Sequence, residues 1–181
     1  MRRMVSISRG PAFRLVTPYT HRLGYHPLLA TRADTSEVLH VRLRKGAANT
    51  QRGALRFVDE TLARVRRAGA AGQILLGADS GFWNKKVTAR LREQGCRYSI
   101  GVTMHKTVMA RTALITEDAW QPVVDYPDSG VCELAETTLG EDRLIVRRVH
   151  LHAQDDQTEL FTYWRHFAFI TNRDEAMHAG G

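Results

Sequence analysis

Asp79 closes the uncharged run "GQILLGA" and is followed by a tight "SGFWN" and then by Lys85 and Lys86. A carboxylate at the end of a buried strand can hold a hard cation such as Mg²⁺, and lysines one turn away can meet the phosphates that such a cation also contacts. The same residues admit a plainer role. Asp-Ser-Gly is a turn former, and an aspartate ahead of a helix can simply cap it. Other residues with chemistry to offer are scattered. Glu133 and Glu136 are three apart on a predicted strand, so they point to opposite faces and form no carboxylate pair. His150 and His152 share a face without a third ligand nearby, while His26, His40, His105 and His166 are isolated. Asp34 belongs to a hairpin turn. Trp83, Trp120 and Trp164 could stack bases, although tryptophans in a domain of this size usually pack a core or an edge. The chain has no GxSxG, P-loop or GxGxxG pattern, which removes support for acyl hydrolysis and for nucleotide-binding loops.

The surroundings of Asp79 are basic. The 181 residues carry a formal net charge of +7 and are 43% hydrophobic, enough for a domain with a proper core and a preference for polyanions. Between Arg42 and Arg111 the acids are Asp59, Glu60, Asp79 and Glu93 alone. Arg44, Lys45, Arg52, Lys85 and Lys86 are the candidate DNA-binding residues of that stretch. No apolar run approaches the roughly 20 residues of a membrane span, and the start shows no sustained apolar segment or cleavage site. A cytoplasmic protein with no membrane partner is expected. Cys96 and Cys132 lie far apart with no CxxC, so neither a disulfide framework nor a thiolate metal site is indicated.

The elements that must position these residues follow from periodicity. Residues 1–18 have no clear period and carry Gly10, Pro11 and Pro18, so they read as an irregular leader with at most one short strand, Phe13 to Thr17. Pro27 to Arg32 and Glu37 to Arg44 form a hairpin around Ala33 to Ser36. Leu55, Val58, Leu62 and Val65 have helical spacing, with Asn49 or Thr50 as N-cap and with Arg52, Arg56, Arg64 and Arg67 on the opposite, water-facing side. Ile74 to Ala78 lacks polar alternation, the pattern of a strand covered on both faces. A helix ending at Gly95 and a strand from Arg97 to Thr103 complete a parallel crossover. A short helix is expected near Ala110 to Leu114, then a second hairpin, Val131 to Thr138 and Leu144 to His152, joined by "LGED", and a last strand, His166 to Thr171.

Taken in order, "GYHPLLATRADTSEVLHVRLRKG", "NTQRGALRFVDETLARVRRAG" and "GADSGFW" resemble a bacterial insertion-sequence transposase of the DDE class, a likeness that continues through "EDAW", "AETT", "RLIVRR" and "WRHFAFITN". The resemblance implies a ribonuclease H-like core in which three acids hold two divalent ions, Mg²⁺ or Mn²⁺, for cleavage and transfer of DNA strands. It places the second acid at Asp79. It also implies an α/β fold with an incomplete ribonuclease H-like core and a small β-rich insertion: a leader over 1–18, partial core over 19–116, insertion over 117–160, and a last core strand with the C-terminus over 161–181. The family's first acid lies on a strand just before the "GYHPLLA" hairpin, yet residues 1–18 contain no acid. Its third acid lies on a helix beyond the last strand, and Asp174 and Glu175 come too early for it. Read this way, the chain is a truncated or frameshifted transposase, unable to hold the ion pair alone. The implied partner is DNA at insertion-sequence ends; an intact transposase is a partner of the alternative reading. The alternative is a non-catalytic, basic DNA-binding or transposition-interfering module. Loss of the first, central strand would leave exposed sheet edges and a tendency to aggregate.

Overall fold

The structure, a computed structural model, describes residues 3–9 and Leu151 as backbone, and residues 27–45, 51–124, 130–150 and 164–174 in full. Contacts divide the chain into two compact units, Met1–Gly101 and Val102–Gly181.

The first unit contains β1 (Arg3–Arg9), β2 (Leu28–Arg32), β3 (Val38–Arg42), α1 (Ala54–Arg67), β4 (Ile74–Ala78), α2 (Lys85–Glu93) and β5 (Arg97–Val102). Its strands lie in the order β3-β2-β1-β4-β5. β1, β2 and β3 pair antiparallel, whereas β1 with β4 and β4 with β5 are parallel. This order fits the ribonuclease H-like core that the resemblance implies.

β1 corrects the sequence reading. The expected irregular leader contains a seven-residue strand at the centre of the sheet, so the vacancy that would have exposed sheet edges is filled. Phe13 to Thr17, the run expected to fill it, lies outside the described residues. The period of β1 is in fact two, Val5 and Ile7 alternating with Ser6 and Ser8. A central parallel strand normally reads as an unbroken apolar run, and the two serines disguise this one.

α1 buries Ala54, Phe57, Val58, Thr61, Leu62 and Val65, a single stripe at helical spacing. It begins later than expected. Gly53 immediately before it has φ 80°, a conformation glycine adopts without penalty, so the helix cannot run back through it, and Arg52 lies in the preceding turn rather than on the helical face. The proposed caps Asn49 and Thr50 lie outside the described residues. Against the sheet, Leu28, Ala30, Ile74, Leu76, Tyr98 and Ile100 are fully buried. Their alternating neighbours Leu29, Leu75 and Ser99 are only half-buried. β4 is therefore fully covered on one face, not on both as its composition suggested.

The second unit contains α3 (Lys106–Thr112), β6 (Gln121–Pro122), β7 (Gly130–Leu139), β8 (Asp142–Leu151) and β9 (Arg165–Thr171). The four strands form an antiparallel meander. Gly140, at φ 66°, makes the tight turn between β7 and β8. Ala135, Leu144, Val146 and Ile170 form a fully buried centre. α3 starts four residues before the expected Ala110, because its buried stripe is the pair Val108 and Thr112, and the Thr112 hydroxyl donates to the Val108 carbonyl at 3.0 Å.

Candidate functional site

Asp79 follows directly on β4, in extended conformation, and caps the single 3-10 turn Ser80–Phe82. Its Oδ1 accepts the Gly81 N–H at 2.7 Å, and its carbonyl accepts the Phe82 N–H at 3.0 Å. The capping role that the sequence allowed is therefore realised. It does not exclude ligation, since a carboxylate has about four acceptor sites. The turn is backed by β5: a Cβ on Gly101 would lie 3.2 Å from the Ser80 nitrogen and 3.6 Å from the Asp79 carbonyl carbon. A Cβ there would be tighter than most real contacts, so glycine eases the close approach of the two backbones.

Lys85 and Lys86 occupy the first turn of α2, both exposed, and Asn84 caps the helix by accepting the Lys86 N–H at 2.8 Å. No acid lies in that turn. Cations at a helix N-terminus oppose the macrodipole, so these lysines do not serve helix stability; their charge adds to that of the dipole and favours an anion there. Gln51 Nε2 donates to the Trp83 carbonyl at 3.3 Å, and Arg44 Nη1 donates to the Arg52 carbonyl at 3.1 Å. The first bond ties the segment before α1 to the one after β4, and the second closes the connection between β3 and α1 on itself. Lys45 and Arg52 are exposed, and Arg44 is half-buried.

Among the described residues no three His, Cys, Asp or Glu side chains gather as a metal group. β1 contains no carboxylate. Its register pairs Ile7 with Ala78, so one step further the β1 residue level with Asp79 is Ser8. Ions about 3.5 to 4 Å apart need several bridging and flanking carboxylates; among the described residues Asp79 is the carboxylate at this strand end.

The remaining candidates have structural partners. Asp34 pairs with Arg32 at 2.7 Å, which holds its carboxyl below the usual range. Glu133 and Glu136, expected on opposite faces, bond to different arginines, Arg148 and Arg143. His150 meets the edge of Trp164 at 5.6 Å between centroids, and His152 lies outside the described residues.

One constellation was missed. Arg148 on β8 donates to both oxygens of Glu117 at 3.0 and 2.7 Å and to Glu133, and its Cζ lies 4.2 Å from the Trp120 ring and 4.6 Å from that of Trp164. It borders a cavity of about 370 Å³ in the second unit. The hairpin register, which sets Glu133 opposite Arg148, was the available signal; nothing in the spacing pointed to Glu117.

No curated protein matches the chain. A family model described as "Transposase DDE domain group 1" matches residues 12–178, and with the strand order of the first unit and the strand-end aspartate already in place, the chain belongs to that family of DDE transposases.

Proposed function

We propose that this protein is a DNA-binding member of the DDE transposase family whose two-metal chemistry is incomplete in this chain. The observation that carries the reading is β1. The family's first acid is expected on a strand before the β2–β3 hairpin; β1, Arg3–Arg9, precedes that hairpin, has no acid, and pairs Ile7 with Ala78, so Ser8 follows on β1 as Asp79 follows on β4. Asp79 takes the part of the second acid and, with the exposed Lys85, Lys86, Lys45 and Arg52, faces the DNA backbone. Arg44 holds the Arg52 loop and contributes charge. The ions implied by the family are Mg²⁺ or Mn²⁺, and the donors among the described residues, Asp79 without a second carboxylate beside it, do not fit a pair of them. Among the described residues no helix is long and apolar enough to cross a membrane.

The test is a Mn²⁺ titration of the purified chain with DNA cleavage followed in the same samples, for wild type, Asp79→Ala and Ser8→Asp. Wild type and Asp79→Ala should bind the ion equally weakly and leave DNA uncut. Ser8→Asp should tighten Mn²⁺ binding by about tenfold, or ~1.4 kcal/mol, and lose that gain when combined with Asp79→Ala. Metal-dependent cleavage by wild type that Asp79→Ala abolishes would overturn the proposal.

A further inference from the structure

The two carboxylates on Arg148 are unequal. The arginine side chain is 11% exposed and Glu133, its cross-strand neighbour, 21%, whereas Glu117 is 82% exposed. Glu133 is thus the built-in counter-ion. Glu117 stands on the short 3-10 turn Glu117–Ala119, almost wholly in water, where an ion pair gains little and the carboxylate is readily rehydrated. What Glu117 occupies is unusual: the two terminal nitrogens of a guanidinium whose Cζ lies over two tryptophan rings. Such a fork matches phosphate oxygens as well as it matches a carboxylate.

We propose that Arg148 is a phosphate-binding residue kept closed by Glu117, and that a phosphate group takes the Nη1 and Nη2 donors when the Glu117 carboxylate swings out. Charge balance permits the exchange. A phosphodiester carries one negative charge, as Glu117 does, and Glu133 neutralises Arg148 in both states. The cavity that Arg148, Glu117, Trp120, Trp164 and His166 border offers about 370 Å³, ample for a phosphate group. Burial and the Arg148 charge push the His166 imidazole down, which leaves the Arg148 guanidinium as the charge that would meet the phosphate in this cavity. The phosphate has two sources, a nucleic-acid backbone or a free phosphate, and the site stands apart from the DNA-binding reading above because inorganic phosphate alone can test it.

The chain has three tryptophans, so Trp83→Phe leaves the two that flank Arg148 as emission probes. This variant is titrated at constant ionic strength with inorganic phosphate and, separately, with a short DNA duplex. Tryptophan emission should change on binding, and adding Glu117→Gln should tighten binding about tenfold if the closed state is favoured about ten to one. Arg148→Lys, which removes the fork, should abolish the change. Response to duplex alone identifies a backbone phosphate, and response to phosphate alone a free one; both support the site. Equal affinity with and without Glu117→Gln, no change of emission with either probe, or a change that survives Arg148→Lys would overturn it. Glu117→Gln alters an exposed side chain, so it decides the matter even if Arg148→Lys fails to fold.

Discussion

Gly101 acts through the side chain it lacks. The atoms its Cβ would meet belong to the backbone of Ser80 and Asp79, and backbone cannot rotate away as a flexible side chain can. Its own φ is not positive, so Gly101→Ala gains up to about 1 kcal/mol from a less disordered unfolded chain, against an overpacking cost of about 1 to 3 kcal/mol. Net destabilisation of about 1 kcal/mol is expected in urea unfolding, with the Asp79 turn displaced; an unchanged midpoint would mean that the turn yields freely. Asp79 itself separates two roles by chemistry. Asp79→Asn keeps an acceptor for the Gly81 N–H and should unfold like wild type, whereas Asp79→Ala should lose about 1 kcal/mol of capping. A stability loss in Asn as large as that in Ala would show that the charge, and not the cap, is what the turn requires.

Between elements, Glu60 fastens α1 to β3. Its carboxylate accepts from His40 at 2.9 Å, from Arg42, and from Arg56 one turn back at 3.0 Å, while the His40 ring stacks on Phe57 at 4.6 Å. The His40 and Arg56 hydrogen bonds, with the Arg42 charge, hold the Glu60 carboxyl down at about 2. A carboxylate depressed in the folded state contributes stability that is complete above its unfolded value of about 4.3 and lost as pH falls from there towards 2. Glu60→Gln should therefore destabilise the protein at pH 7, and the gap to wild type should narrow from about pH 4.3 downward. A gap independent of pH would assign the effect to packing. This fastening was invisible in the sequence, because its partners are 18 and 20 residues apart and no periodicity links them. The hairpins, β4, α2 and β5 were legible, since each has turn residues at its ends and an apolar run or stripe within. β1 was not, because serines interrupt it, and α1 and α3 were misplaced at their starts, where Gly53 and the Val108–Thr112 pair decide. The strand-end position and capping of Asp79 were legible from an apolar strand that runs into Asp-Ser-Gly. Arg148 and Glu117, 31 residues apart, meet only through the fold of the second unit.

For the whole molecule, a net charge of +7 guarantees some attraction to any polyanion, so DNA binding by itself would not locate an interface. The salt dependence can. Each phosphate neutralised contributes a slope of about 0.9 in log K against log salt, and removing a lysine that contacts a phosphate lowers the slope by about 1. Lys85→Ala with Lys86→Ala should therefore reduce the slope by about 2 and weaken binding evenly across sequences. Arg64 and Arg67 are equally exposed but lie at the last turn of α1, and Arg64→Ala with Arg67→Ala removes the same charge. That second pair should leave the slope unchanged. Equal losses from both pairs would mean a diffuse attraction spread over the surface, and the end of β4 would then have no claim to be the face that meets DNA.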